Sequence, residues 1–387
     1  MIAVGIDVGK RTHQACFLDG QGREVARSLR FANTAAGVQQ FHDRLQLLPA
    51  PATIALEASG HSWLGVHRRL TAAGLTVQVV NPLQTDAFRQ TGVRKTKTDR
   101  RDAFVLADLV RIGRARPNYV PDDTLLQLRE LTRFRWHLAD RIGDAKRRLL
   151  TVLDRIFPEF ADQFTDPFGT SARVLLRQAA SAAAFADLEL DDLTARLHAA
   201  SRGRFGRAKA DALRRCAQDS LGVAALGTVG QLEVEALLDE LAVLEQQLQR
   251  ADAAIATLLA QIPQQLTSIP GIGPVLAASI LAEIGDAHRF PRLAALVAYA
   301  GLDPSVFASG AFQGTRQHIS KRGSPYLRRA LFLAAHGARL HNPDLAAYLG
   351  RKLAEGKPYR AAVIALAHRL LARIYVVLTE ERPYVVR

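Results

Sequence analysis

The sequence predicts an α/β domain at the N-terminus followed by a mostly helical remainder. Short apolar runs alternate with helical periods between Ile2 and Val80. Two later segments carry apolar residues at alternating steps of three and four, and beyond Ser268 the chain divides into helical stretches that open on proline. These patterns place strands and helices in one layered domain first and helices alone afterwards.

The elements follow in order. Ile2–Asp7 is an apolar strand ending in an acid, and Gln14–Leu18 and Glu24–Phe31 are strands joined through the turn signal Asp19-Gly20. Thr34–Leu47 has helical spacing with Val38, Phe41 and Leu45 on one face. Ala52–Leu56 is a strand that ends at Glu57, Leu64–Ala73 a helix and Thr76–Val80 a strand. A further helix starts near Thr98, whose hydroxyl suits an N-cap, with Ala103, Leu106 and Val110 as its buried stripe.

Two long helices come next. Leu128, Leu131, Leu138, Ile142, Ala145, Leu149, Val152 and Ile156 form one apolar seam, interrupted by Arg135. Val234, Leu237, Leu241, Leu244, Leu248, Ala251, Ile255 and Leu258 form a second, unbroken one. Such seams fit a coiled coil, either as a pair within the chain or as a pairing of protomers. The intervening segment 158–227 is helical in pattern and carries a basic run, Arg202–Arg215, but no motif. The final part has helices near Pro274–Ile284, Leu293–Ala300, Pro325–Leu340, Pro343–Ala354 and Pro358–Thr379, with a Gly/Ser-rich loop at Leu302–Gly323. The expected divisions are 1–120, 121–265 and 266–387.

Composition narrows the function. Lys and Arg number 51 against 37 Asp and Glu, a net charge of +14, which points to a polyanionic partner, nucleic acid first. Two cysteines, Cys16 and Cys216, are too few for a disulfide framework or a cysteine zinc site and fit a reducing compartment. The apolar run Met1–Ile6 stops at Asp7 with no basic stretch before it, so no signal peptide is expected. The apolar stretch Tyr359–Leu378 holds Arg360, His368, Arg369 and Arg373 and reads as a packed helix rather than a membrane span. The expected location is therefore the cytoplasm.

Three groups of residues can carry chemistry. Asp7 and Glu57 end apolar strands, and Asp99 and Asp102 share one face at the start of a helix. Carboxylates gathered at strand ends repel one another unless a cation neutralises them, and hard oxygen ligands select Mg²⁺ or Mn²⁺, ions suited to phosphoryl transfer. Ser268-Ile269-Pro270-Gly271-Ile272-Gly273-Pro274 resembles a helix-hairpin-helix turn, in which Gly271 and Gly273 would let backbone N–H groups approach a phosphate. From Pro304 to Asn342 there are six basic residues and no acid, Arg316, Lys321 and Arg322 among them, together with the candidate nucleophiles Ser309, Ser320 and Ser324. Spacing does not choose among these serines. Between Arg89 and Arg155 the chain holds 17 Lys and Arg against 9 Asp and Glu, with Arg94, Lys95 and Lys97 directly before the Asp99 motif. That charge would draw a polyanion across the acids.

Taken together, the motifs resemble the DEDD transposases of the insertion sequence 110 family. Gly5-Ile6-Asp7, Leu56-Glu57-Ala58 and Lys97-Thr98-Asp99-Arg100-Arg101-Asp102-Ala103 match its acidic motifs in order. Ser268-Ile269-Pro270-Gly271-Ile272-Gly273, Ala300-Gly301-Leu302-Asp303-Pro304, and Ser309-Gly310 with Ile319-Ser320-Lys321-Arg322-Gly323 match its C-terminal domain. The resemblance implies an N-terminal RuvC-like, ribonuclease-H fold with Asp7, Glu57, Asp99 and Asp102 as metal ligands, a helical coiled-coil segment, and a C-terminal helical transposase domain. It implies Ser309 as the nucleophile and a covalent serine–phosphate link to DNA. It also implies a structured bridge RNA that pairs with donor and target DNA. A homo-oligomer, dimer or tetramer, is expected, with the acids of one protomer facing the serine of another. The host would be bacterial and the protein nucleoid-associated, away from membranes. Two other readings compete: a metal-dependent junction endonuclease without a serine nucleophile, and a non-catalytic nucleic-acid-binding scaffold.

Overall fold

The computed structural model describes residues 1–58, 60–90, 98–305, 308–309, 312–313 and 318–385, and packs them as two compact units, Met1–Pro121 and Asp122–Arg387.

The first unit is built on a five-stranded sheet. Its strands are β1 (Ile2–Val8), β2 (Thr12–Leu18), β3 (Glu24–Ala32), β4 (Ala52–Glu57) and β5 (Val77–Val80), in the order β3-β2-β1-β4-β5. The first three form an antiparallel meander, whereas β4 and β5 run parallel to β1. Parallel neighbours need crossover helices, which α1 (Ala35–Gln46) and α2 (Trp63–Ala72) supply. Val38 and Phe41 of α1 and Val66 and Leu70 of α2 pack on the face formed by Val4, Ile6, Phe17, Ile54 and Leu56. Alternation along the strands turns Ala3, Gly5 and Ala55 to the opposite face. There α4 (Asp99–Arg111) covers the sheet after the short α3 (Pro82–Arg89), burying Ala103, Leu106, Ala107 and Val110.

Gly5 fixes how closely α4 lies on β1. A Cβ at Gly5 would sit 2.0 Å from the Ala103 carbonyl oxygen and 2.4 Å from the Ala107 nitrogen. Ala103 lies over Gly5 while Val110 lies near Ala3, so α4 runs opposite to β1, and its N-terminus meets the C-terminal end of that strand. The Thr98 hydroxyl accepts the Arg101 amide and starts the helix there.

The second unit has a spine of two long antiparallel helices, α5 (Asp123–Ile156) and α10 (Gly227–Leu259). The apolar seams expected from the sequence meet within the chain through Leu138, Leu244 and Ala251, with Leu131, Ile142 and Leu248 alongside. Arg135, which interrupts one seam, bonds Asp252 of the other helix at 2.6 Å. At the far end of the spine, α6 (Thr170–Gln178), α7 (Ala182–Ala186), α8 (Leu190–Ala200) and α9 (Arg207–Gln218) enclose a core of Phe157, Phe160, Leu175, Phe185 and Leu213. At the near end, α11 (Pro274–Ile284), α12 (Leu293–Tyr299), α13 (Pro325–His341), α14 (Pro343–Ala354) and α15 (Tyr359–Thr379) form another core with Leu128 and Trp136 of α5. The apolar α15 buries Val363, Leu366, Leu370 and Ile374 in that core. Between α12 and α13 the chain makes a two-stranded hairpin, β6 (Ala308–Ser309) with β7 (Phe312–Gln313).

Candidate active site

The acids of the first unit are placed by strand register. Gly5 pairs with Ala55 and Ile6 with Leu56, so Asp7 and Glu57 extend neighbouring parallel strands beyond the last registered pair. Each lies two residues past a position that faces α4, and so shares that face. Asp102 immediately precedes Ala103, whose carbonyl lies over Gly5, and Asp99 stands one turn earlier, exposed. Backbone geometry thus carries Asp7, Glu57 and Asp102 to one end of the sheet.

The side chains there are already engaged. The buried Thr85 hydroxyl donates to Glu57 Oε2 at 2.5 Å, and Arg89 Nη2 stands 3.1 Å from Asp102 Oδ1 while its Nη1 bonds Asp86 at 2.7 Å. Among the described residues, no three His, Cys, Asp or Glu side chains are grouped so as to hold a metal ion. The oxygen donors suit a hard cation by type. In this form, however, a guanidinium takes the place beside Asp102. Neither Thr85 nor Arg89 was distinguishable in the sequence from an ordinary helix residue. Arg94, Lys95 and Lys97 lie outside the described residues.

The second unit holds the serine loop. Its legs are pinned by Ser305 N and Oγ donating to the His318 carbonyl, each at 2.7 Å, by Ser320 N donating to Asp303 O at 2.8 Å, and by Ser324 N donating to Tyr299 O at 3.1 Å. Ser309 ends β6, opposite Phe312. Arg316 lies outside the described residues, whereas Lys321 and Arg322 are exposed on the returning leg. The Ser320 hydroxyl donates to Asp303, and the Ser324 hydroxyl donates to Glu283 Oε2 at 2.7 Å while accepting the Leu327 amide as the N-cap of α13. Two of the three candidate serines therefore hold the loop in place.

Glu283, which anchors this loop through Ser324, is a residue that the sequence reading did not single out. It is 1% exposed, lies near the C-terminus of an otherwise apolar helix, and receives Arg133 Nε at 2.7 Å and Nη2 at 3.1 Å. Burial lowers the proton affinity of the Arg133 guanidinium and Glu283 more than restores it, so Arg133 ends above its ordinary value. A lone acid in an apolar helix was the available signal, because such a group is costly unless paired.

The hairpin glycines have different surroundings. Gly271, at φ +90°, packs against α13, where an added Cβ would lie 2.2 Å from the Ala338 nitrogen. Gly273 is exposed at the N-cap of α11.

Comparison with known proteins matches the stretches of chain that hold these acids and the C-terminal loop. A DEDD transposase family model of IS110 type, described as a transposase, matches residues 4–158, and the model described as the transposase IS116/IS110/IS902 family matches residues 263–350. The chain belongs to the IS110 family of transposases. Family relatives extend over nearly the whole chain. The mini-circle putative transposase for IS117 of Streptomyces coelicolor is 29% identical, covering 96% of this chain and 92% of its own. The probable family 20 transposase of Pseudomonas aeruginosa is 27% identical, covering 98% of each chain. The pilin gene-inverting protein of Moraxella bovis is 24% identical, covering 98% of this chain and 97% of its own. As an IS110-family transposase, the chain acts on the DNA of an insertion sequence.

Proposed function

We propose that this transposase cuts and rejoins DNA through Ser309. In the forward step Ser309 Oγ bonds to the phosphorus of the scissile phosphodiester. The deoxyribose oxygen of the broken strand leaves and takes up a proton. Attack by a free strand end on the serine–phosphate link then reseals DNA and returns the serine. The observation that carries the choice of serine is the commitment of Ser320 to Asp303 and of Ser324 to Glu283.

Asp7, Glu57, Asp99 and Asp102 are the proposed ligands of Mg²⁺ or Mn²⁺, on a first unit of RuvC-like, ribonuclease-H type. The strand order β3-β2-β1-β4-β5 and the meeting of acids at one sheet end support that reading. A divalent cation bound there would screen the carboxylates and polarise a phosphate oxygen. It requires the Arg89–Asp102 pair to open. Donor and target DNA, a structured bridge RNA and a homo-oligomer with composite sites complete the proposal, and the charge of +14 supports a polyanionic partner.

Trapping a DNA–protein adduct on a denaturing gel tests the chemistry. Wild type yields an adduct, Ser309→Ala none, and Ser320→Ala keeps it. An adduct that persists in Ser309→Ala overturns the assignment. Strand cleavage without any adduct, lost in Asp102→Asn, would establish a metal-dependent nuclease instead.

A further inference from the structure

A cavity of about 290 Å³ opens at the root of the serine loop. Leu302 on the outgoing leg and Ile319 and Lys321 on the returning leg line it, with Arg328 and Phe332 of α13 and Ile364 of α15. Its floor is aliphatic and aromatic, and its rim carries three cations, Lys321, Arg328 and Arg329. Arg328 donates Nη1 to the Ala300 carbonyl at 3.3 Å, and among the described residues neither it nor Lys321 has a carboxylate partner. The adjacent acid, Asp303, accepts the Ser320 hydroxyl instead, and the stretch Pro304–Asn342 contains no acid. The other arginine on the rim, Arg329, is by contrast held by Asp140 at 2.7 and 2.8 Å. Glycine at 301 lets Arg328 lie close against the loop, since a Cβ there would fall 2.7 Å from Arg328 Nη1. An apolar floor rimmed by uncompensated cations fits a ligand that is flat and apolar at one end and anionic at the other.

We infer that this cavity receives one unstacked nucleotide of the DNA strand, its base on the Phe332–Ile364 floor and its phosphate between Lys321 and Arg328. The inference rests on the serine reading only for its place in the reaction. Burial with no carboxylate partner pulls the Arg328 guanidinium below its ordinary proton affinity, and an incoming phosphate reverses that penalty. Extruding a base costs least where the duplex is already open, so the cavity favours strands that are nicked or melted beside the loop.

The test uses the full chain carrying Ser309→Ala, so that binding is read without chemistry. The probes are a single-stranded oligonucleotide containing 2-aminopurine, the same strand with an abasic gap, and the paired duplex. Binding of the single strand should change the 2-aminopurine emission, and the abasic strand should bind about tenfold more weakly, as loss of one stacked base predicts. The cavity-filling Ile364→Trp should abolish that discrimination and leave duplex affinity unchanged, whereas Arg328→Met should weaken intact and abasic strands alike, with thermal melting confirming the fold. Equal binding of intact and abasic strands by the wild-type cavity, or discrimination that survives in folded Ile364→Trp, overturns the inference. Base-dependent binding together with no serine adduct in the wild type would leave the cavity standing and remove the serine reading.

Discussion

Glu283→Gln is the most informative perturbation of the second unit. The substitution keeps shape and one acceptor but removes the charge that faces Arg133. Two hydrogen bonds from Arg133, at 2.7 and 3.1 Å, and one from Ser324, at 2.7 Å, converge on this carboxylate. Removing one partner of a buried pair costs about 3–5 kcal/mol, because a charge is left without compensation. The Glu283 side chain is 2% exposed but that of Arg133 is 34%, and water recovers part of the loss. The expected destabilisation is about 2–3 kcal/mol, which for a unit of this size lowers Tm by about 4–12 °C. Differential scanning calorimetry of the whole chain reads it as a shift in the transition of Asp122–Arg387 while that of Met1–Pro121 stays in place. Adding Arg133→Met should recover part of the loss, since no orphan charge then remains. A Tm drop under about 1 °C, or a double variant as unstable as the two single losses combined, would refute the reasoning.

Two further outcomes follow from the first unit. Arg89→Gln frees Asp102 from its cation and should raise Mn²⁺ affinity several-fold by electron paramagnetic resonance titration; unchanged affinity would show that the pair does not compete with metal. Burial, and less so the Glu24 carboxylate, push the Cys16 thiol from 9.0 up to about 11, so the folded state holds that proton after the unfolded chain has released it. Stability of the unit should therefore fall as pH rises from 9 toward 11, and iodoacetamide at pH 8 should spare Cys16 until the chain unfolds. Rapid labelling of Cys16 in the native protein would contradict its burial.

Much of the fold was legible because its signals are local. Alternation marks β1 and β4 and places Asp7 and Glu57 at their ends, and Thr98 announces α4 through a cap that needs only its own neighbours. What escaped depends on partners distant in the chain. Arg135 reads as a flaw in a seam until Asp252 is seen opposite, 117 residues on. Glu283 reads as a helix-end charge until Arg133, 150 residues earlier, closes on it. Gly271 has the spacing of a phosphate-binding turn, and only packing shows that α13 already requires its missing side chain. The acids show the same limit: register brings their backbones together, but whether the side chains meet one another or an arginine is set by α3, which the motifs do not include.

The helix that carries Arg133 is also the longest rod in the molecule. At 1.5 Å per residue, α5 spans about 50 Å, with Arg133 about one third of the way along. Toward the serine loop it is tied by ion pairs, Arg133 to Glu283 and Asp140 to Arg329 of α13. Along the rest of its length α10 braces it through Arg135–Asp252, Arg141–Glu240 and Arg155–Glu233. The core enclosed by α6 to α9 and the core beneath the serine loop thus hang on one stiff, doubled support, which sets the spacing between them.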